Sequence, residues 1–380
     1  MTNPRRLKGH KGAVTCCIAS RARPGILVSS GEDGRICWFD LRCKDVFFTM
    51  DLGKSQVSSI CFKAGDEDVL YASIGSEIMC FDVHLASSWK PLESYNYNSE
   101  EINQIAFSSK SPFLAAADDS GDVKIIDTRQ KCLYKTLRAV HTSICSSVQF
   151  LPWRPWEVVT GGLDAKLVMW DFSRGRPYKV VDFGMPDMDN HESSSNAGQC
   201  FNPAFVHAIA VPEMDMLGGL DKVCAVAKGD GAIDIINIAS ELAVVNSTSS
   251  SHSRKGSKSG SKSRSKGTLP ALDATTIDQG QGKRLHLDYA LGGHTAAVSC
   301  VAFSLFGQRG KFIISGGNDA FVKVWDWSKY LDPGQTSCSS DLPMSINVNK
   351  KVNWLCTTPA DSENIVVCDT SKVMKVYSIS

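Results

Sequence analysis

Three residue types that could act together on a substrate recur along this chain at matched spacing. His141, Thr160 and Asp164 form one set, closed by Trp170, and His294, Ser315 and Asp319 form another, closed by Trp325. A third set, His10, Ser29 and Asp33, has Phe39 in the closing position. Its tryptophan, Trp38, stands one residue early and on the opposite face of a strand. The fifth stretch of this kind keeps only His207 and Asp230. Imidazole, hydroxyl and carboxylate are the components of nucleophilic catalysis, in which the acid orients the imidazole and the imidazole takes the hydroxyl proton. Repetition argues against that chemistry, because one enzyme has no use for two such sets on separate structural units. No G-x-S-x-G elbow accompanies either. The alternative is architectural. A buried Asp is costly unless its oxygens accept hydrogen bonds, and a histidine and turn amides can donate them. No residue is expected to be catalytic.

Other chemistries are missing as well. The 14 cysteines are scattered, with no C-x-x-C pair and no Cys/His cluster at zinc spacing, so no metal is expected and the thiols read as buried, reduced and intracellular. No phosphate-binding loop, dinucleotide fingerprint or H-E-x-x-H occurs, and no cofactor is expected. "GQRGKF", Gly307 to Phe312, is the nearest to a phosphate loop and reads as a turn. His84, His191, His252 and His286 share no spacing and read as solvated. With 41 basic and 40 acidic residues, the chain has no global attraction for nucleic acid or anionic lipid. Neither a signal-like apolar stretch after "MTNPRRLKGHKGAV" nor an 18-residue apolar run is present. The expectation is a soluble protein of the nucleus, the cytoplasm or both, with no membrane contact.

The elements that must position the recurring residues are short strands. "VSSGEDGRICWFDL", "VTGGLDAKLVMWDF" and "SGGNDAFVKVWDW" are copies of one pattern: small residues, an acidic turn, then an alternating apolar run closing on an aromatic residue and Asp. Weaker copies, such as "AADDSGDVKIIDTR" and "VAKGDGAIDIINI", raise the number to seven. Closing positions fall at Phe39, Phe81, Ile126, Trp170, Ile236, Trp325 and Tyr377, with separations of 42, 45, 44, 66, 89 and 52 residues. A four-stranded propeller blade takes roughly 40–45 residues. Insertions explain the longer intervals. One, at 185–199, is acidic and polar; another, at 246–285, is rich in Ser, Lys and Arg and too polar to bury a core; a short third spans Asp332 to Ser345. The basic segment reads as a tolerated loop or as a nuclear-import or nucleic-acid contact tuned by serine phosphorylation. The absence of aromatic residues among its charges favours the loop and makes nucleic acid an unexpected partner.

These motifs resemble the WD-repeat family across nearly the whole chain. The resemblance implies an all-β fold, a single seven-bladed WD-repeat β-propeller over 1–380, in which histidine, Ser or Thr, Asp and Trp form hydrogen-bonded structural tetrads. It also implies closure of the ring by the two ends of the chain, with residues near Pro4 to Leu7 supplying the outer strand of the blade formed by 352–380. A propeller without catalytic groups binds proteins. The endings Asp40-Leu41-Arg42 and Asp127-Thr128-Arg129 resemble the box by which WD-repeat substrate receptors dock on the adaptor of cullin-RING ubiquitin ligases, with the arginines on the face opposite the histidine loops. On the bland reading, Arg42 and Arg129 cap surface strands and pair with a neighbouring acid. Segments such as "SEEINQIAF", "FNPAFVHAI" and "KVNWL" resemble one branch of the family. That likeness implies a non-enzymatic, monomeric scaffold serving as a ligase substrate receptor. In that branch a comparable basic segment lies one repeat later than in this chain. The other reading is a scaffold or peptide reader in a chromatin or signalling complex.

Overall fold

Apolar residues alternating over six-residue runs, punctuated by Gly- and Asp-containing turns, give short antiparallel strands with two covered faces. The computed structural model describes residues 3–43, 45–53, 55–84, 90–185, 200–213, 216, 222–242, 284–327, 344–359 and 363–379. The insertion residues 186–199, 246–283 and 332–343, with His191 and His252, lie outside the described residues.

Strand β1 (Arg5–Lys8) opens the chain. The first blade is β2 (Val14–Ala19), β3 (Ile26–Gly31), β4 (Arg35–Asp40) and β5 (Val46–Asp51). The second is β6 (Val57–Lys63), β7 (Asp66–Ile74), β8 (Glu77–Asp82) and β9 (Glu93–Tyr95). The third is β10 (Ile102–Phe107), β11 (Phe113–Asp118), β12 (Val123–Asp127) and β13 (Cys132–Leu137). The fourth is β14 (Cys145–Phe150), β15 (Glu157–Gly162), β16 (Lys166–Asp171) and β17 (Arg176–Asp182). The fifth is β18 (Val206–Ala210), β19 (Val223–Lys228), β20 (Ile233–Asn237) and β21 (Arg284–Leu287). The sixth is β22 (Val298–Phe303), β23 (Phe312–Gly317), β24 (Phe321–Asp326) and β25 (Met344–Asn347). β26 (Val352–Thr357), β27 (Asn364–Asp369) and β28 (Val373–Ser378) complete the seventh blade with β1, which pairs Arg5 with Val376 through Lys8 with Val373.

The molecule is a seven-bladed β-propeller closed by its two ends. Two expected insertion boundaries shift, because Arg284 and Leu285 belong to β21, and Met344 and Ser345 begin β25. Their four-residue length and partly or fully exposed side chains disguised these outer strands as loop.

Apolar side chains pack between neighbouring sheets. Phe39 packs with Leu7, Val14, Val366 and Val376 at the closing seam, whereas Trp38, on the other face of β4, packs with Val57, Leu70 and Phe81 of the second blade. Trp170 faces the third blade and Trp325 the fifth. Each such burial contributes about 1.5–3 kcal/mol. The antiparallel order places the histidine loops and the turns between second and third strands on one face, the upper. The turns between first and second and between third and fourth strands lie on the other, the lower.

A further arrangement links the blades. Every innermost strand carries a register shift after its first residue, a β-bulge. The bulged residues are Thr15, Ser58, Asn103, Ser146, His207, Ser299 and Asn353. Thr15 donates to the Val57 carbonyl, Ser58 to Ile102, Asn103 to Cys145, Ser146 to Val206, Ser299 to Val352 and Asn353 to Val14. Each bond reaches the first residue of the next inner strand, so the seven strands are belted together. Among the described residues His207 makes no such bond, and the belt is interrupted between the fifth and sixth blades.

Candidate functional site

The recurring polar sets lie at the upper ends of the first, fourth and sixth blades. In each, the histidine stands four residues before its inner strand, and the hydroxyl residue sits in the second strand. His141 Nδ1 is 3.0 Å from Asp164 Oδ1 and its Nε2 is 2.8 Å from Thr160 Oγ1; Trp170 Nε1 donates to the same oxygen at 2.9 Å. His294, Asp319, Ser315 and Trp325 repeat this at 3.0, 2.8 and 3.1 Å. His10, Asp33 and Ser29 match the first two distances, and Phe39 supplies no indole donor. Because the tryptophan donates to the hydroxyl oxygen, the hydroxyl proton turns to histidine Nε2, and Nδ1–H donates to the carboxylate. The second carboxylate oxygen accepts the amide of Lys11, Thr142 or Thr295. Burial pushes the Asp33, Asp164 and Asp319 carboxyls up, but these donors outweigh it and hold all three below the usual carboxylate range. The hydroxyl oxygens are buried and closed to a substrate, those of Thr160 and Ser315 being held from two sides.

Glycine is required beside each tetrad. A Cβ on Gly162 would lie 2.6 Å from His141 Nδ1 and 2.7 Å from Asp164 Oδ1; Gly31 and Gly317 meet the same two groups just as closely. Where the tetrad is absent, this strand-end position is free to carry charge. It is Asp118 in the third blade, Lys228 in the fifth and Asp369 in the seventh, all buried. Asn98, at the histidine position, donates to Asp118 at 2.8 Å. Asp369 pairs with Lys375 at 2.6 Å. In the fifth blade the signs are exchanged: Lys228 pairs with Asp234 at 3.0 Å and with Asp230 at 3.2 Å.

One expectation about the histidines is corrected here, and another gains a partner. His207 is not at a tetrad position but at the bulge of β18. Its separation from Asp230 imitates that of His141 from Asp164 only because the first two strands of the fifth blade enclose a longer connection: Val206 pairs with Lys228, 22 residues on, whereas Cys145 pairs with Gly162, 17 residues on. His286 is solvated as expected, with about half its side chain exposed at 53%, but it is not isolated. It stands on β21 with Nδ1 2.5 Å from Asp234 Oδ1, and that hydrogen bond raises its pKa against the opposing effect of burial.

Arg42 and Arg129 both follow the third strand of their blades and emerge on the lower face, two blades apart. Asp40 and Asp127 shape these turns, accepting the Arg42 and Arg129 amides at 2.8 and 2.9 Å. Asp127 is buried and also accepts the Gln130 amide, which makes it a turn former rather than a contact surface. The two guanidinium groups differ. That of Arg42 folds back onto Asp40, with Nε 2.9 Å from Oδ1 and Nη2 2.7 Å from Oδ2. That of Arg129 has no carboxylate partner among the described residues and borders a groove of about 570 Å³ between the second and third blades. The basic segment also leaves from this face, between β20 and β21. Its roots are tied by Arg284 Nε to buried Glu241 at 2.8 Å.

Sequence reasoning missed the bulge belt and the groove. The belt did leave a signal, a hydrogen-bonding residue immediately after the first residue of each inner strand, as in "VTC", "INQ" and "VNW". The groove left none, since its walls come from two blades. Among the described residues no His/Cys/Asp/Glu group could hold a metal, and no helix is long and apolar enough to cross a membrane.

The WD domain, G-beta repeat, family matches residues 1–40, 89–127, 131–171 and 286–326. The chain is 31% identical to the WD repeat-containing protein 53 homolog of Dictyostelium discoideum, over 98% of this chain and 94% of that protein. It is 24% identical to human Protein NEDD1 over 50% of this chain and 30% of that protein, and 28% identical to the GATOR2 complex protein WDR24 of Danio rerio over 33% and 16%. The chain belongs to the WD-repeat family, in the group of WD repeat-containing protein 53, and has the architecture of a protein-interaction scaffold.

Proposed function

We propose that this protein is a non-enzymatic, monomeric substrate receptor of a cullin-RING ubiquitin ligase, working in the nucleus, the cytoplasm or both. Its lower face would dock on the ligase adaptor and another surface would hold the substrate. The observation that carries this reading is the pair of Asp-shaped turns that present Arg42 and Arg129 on one face, both exposed. A guanidinium so displayed is suited to bidentate pairing with a carboxylate or carbonyl pair. The tetrads contribute rigidity and no chemistry.

The test is binding of the purified adaptor to the intact chain. Arg129→Ala should weaken it about tenfold or more, as expected for an interface anchor. Arg42→Ala should weaken it less, because Arg42 must first leave Asp40. Adaptor that fails to bind the wild-type chain, or binds the double variant equally well, removes this reading. A scaffold in another complex would then stand first, a role supported by the partial match to a GATOR2 complex protein.

A further inference from the structure

We infer that the lower-face groove between the second and third blades is a docking site for an acidic segment of a partner protein, one that carries a bulky apolar side chain next to a carboxylate. The inference deepens the lower-face docking reading and rests on it, but it does not require the partner to be the ligase adaptor.

The groove joins an apolar floor to a polar rim. Val69, Tyr71 and Phe107 form its floor, with the Tyr71 and Phe107 rings stacked 5.4 Å apart, and half-exposed Leu92 forms one wall. Its volume of about 570 Å³ lies in the range of ligand-sized pockets, enough for a short side-chain-bearing segment. The ionisable groups at its rim do not balance. Lys63 is neutralised by Asp66 at 2.9 Å, and Glu93 is held by Lys131 at 2.8 Å and by the Tyr95 hydroxyl. Lys110 and Arg129 have no carboxylate among the described residues. An occupant that complements this rim brings one or two negative charges beside an apolar anchor.

The surroundings favour a protein segment. Thr128 donates its amide and hydroxyl to the Pro112 carbonyl, fixing the Arg129 turn against the groove lip. Immediately beyond Pro112, Phe113 packs against Tyr134 at 4.9 Å and Trp156 at 5.6 Å, and both of these rings are partly exposed, at 37% and 46%. These rings lie on the other side of the third blade from the groove but on the same lower face, and exposed tyrosine and tryptophan are the residue types enriched at protein-binding hot spots. A nucleic acid would need a longer row of cations to follow its phosphates, and Glu93 in the wall would oppose it.

The test is selection of a phage-displayed random twelve-residue peptide library on the full chain, followed by fluorescence anisotropy with the enriched peptides. The expected result is a consensus that pairs Asp or Glu with Phe, Leu, Trp or Met. Arg129→Glu, Lys110→Glu and Leu92→Asp should each weaken its binding about tenfold or more. All three positions are exposed or at the rim, so thermal unfolding should not change; Arg42→Glu, two blades away, should bind the peptide normally. A selection with no acidic–apolar consensus, or peptides insensitive to all three variants, overturns the inference. So does a single-stranded oligonucleotide that binds with the same sensitivities. Peptide binding without adaptor binding leaves the groove standing and removes only the ligase reading.

Discussion

The fourth and fifth blades solve the same problem, how to fix the upper end of a blade, by different means. The fourth holds a histidine between a hydroxyl and a carboxylate, with Gly162 making room. The fifth places Lys228 where that glycine would be and answers it with Asp234 and Asp230, Asp234 being held in turn by His286. The first device satisfies its carboxylate with short, directed hydrogen bonds from the histidine and a turn amide. The second buries an ion pair whose members each depend on the other. The difference teaches that the tetrad is one of several interchangeable clamps, and that the identity of a single strand-end residue, glycine or charged, selects among them.

The largest test of this comparison is Lys228→Met. It strands buried Asp234 with only half-exposed His286 as a counter-charge, and should destabilise the chain by about 3–5 kcal/mol, read as a fall in the urea midpoint. A loss no larger than that from a tetrad variant would erase the distinction between the clamps. Next comes Asp164→Ala, which removes the charged acceptor of buried His141 and should cost about 1–3 kcal/mol. Asp319→Ala should match it, and unchanged thermal unfolding in both would mean that the tetrads contribute no stability. A smaller loss, about 1 kcal/mol, is expected for Trp170→Phe, which recreates the first blade's natural arrangement around Phe39. A much larger loss would show that the indole hydrogen bond, rather than the histidine–carboxylate pair, carries the clamp.

The smallest effects are pH-dependent and have opposite signs. The tetrad carboxylates titrate lower when folded than when unfolded, so their stabilisation is complete above the unfolded carboxylate range and is lost as pH falls through the folded values. His286 titrates higher when folded. Its contribution is therefore complete below the unfolded histidine value near 6.5 and is lost as pH rises through the folded one. Amide exchange in β21, corrected for intrinsic rates, should accelerate as pH rises through neutrality, while β16 shows no such change; in His286→Gln the acceleration should disappear. Equal behaviour of β21 and β16 would remove His286 from the clamp.

Local strings made most of the fold legible. Each blade writes its turn and third strand within about fifteen residues, so the seven copies could be read directly, while the joining of the two ends came only through the resemblance to the family. The tetrad spacing was legible where the enclosed connection kept its length, and misleading at His207, where a longer β18–β19 connection produced a matching interval by coincidence. The pairing of His286 with Asp234 was hidden because 52 residues separate them, most of them in the basic insertion. Nothing in the sequence distinguished Arg42 from Arg129. Both end the same three-residue motif, and only the folding back of one guanidinium onto Asp40 separates them.

The belt of bulge residues gives the disc the mechanics of a hoop. A load that widens the central opening is shared among six short links, including the Asn353–Val14 link across the joint between the two ends of the chain. Among the described residues, the place without a link is the junction of the fifth and sixth blades, where His207 stands. Covalent discontinuity and mechanical weakness are thus at different stations of the ring. Under radial strain the disc should part beside His207 before it parts at its termini, and a single-molecule pulling trace that opens first at β1 and β28 would show that the belt bears no load.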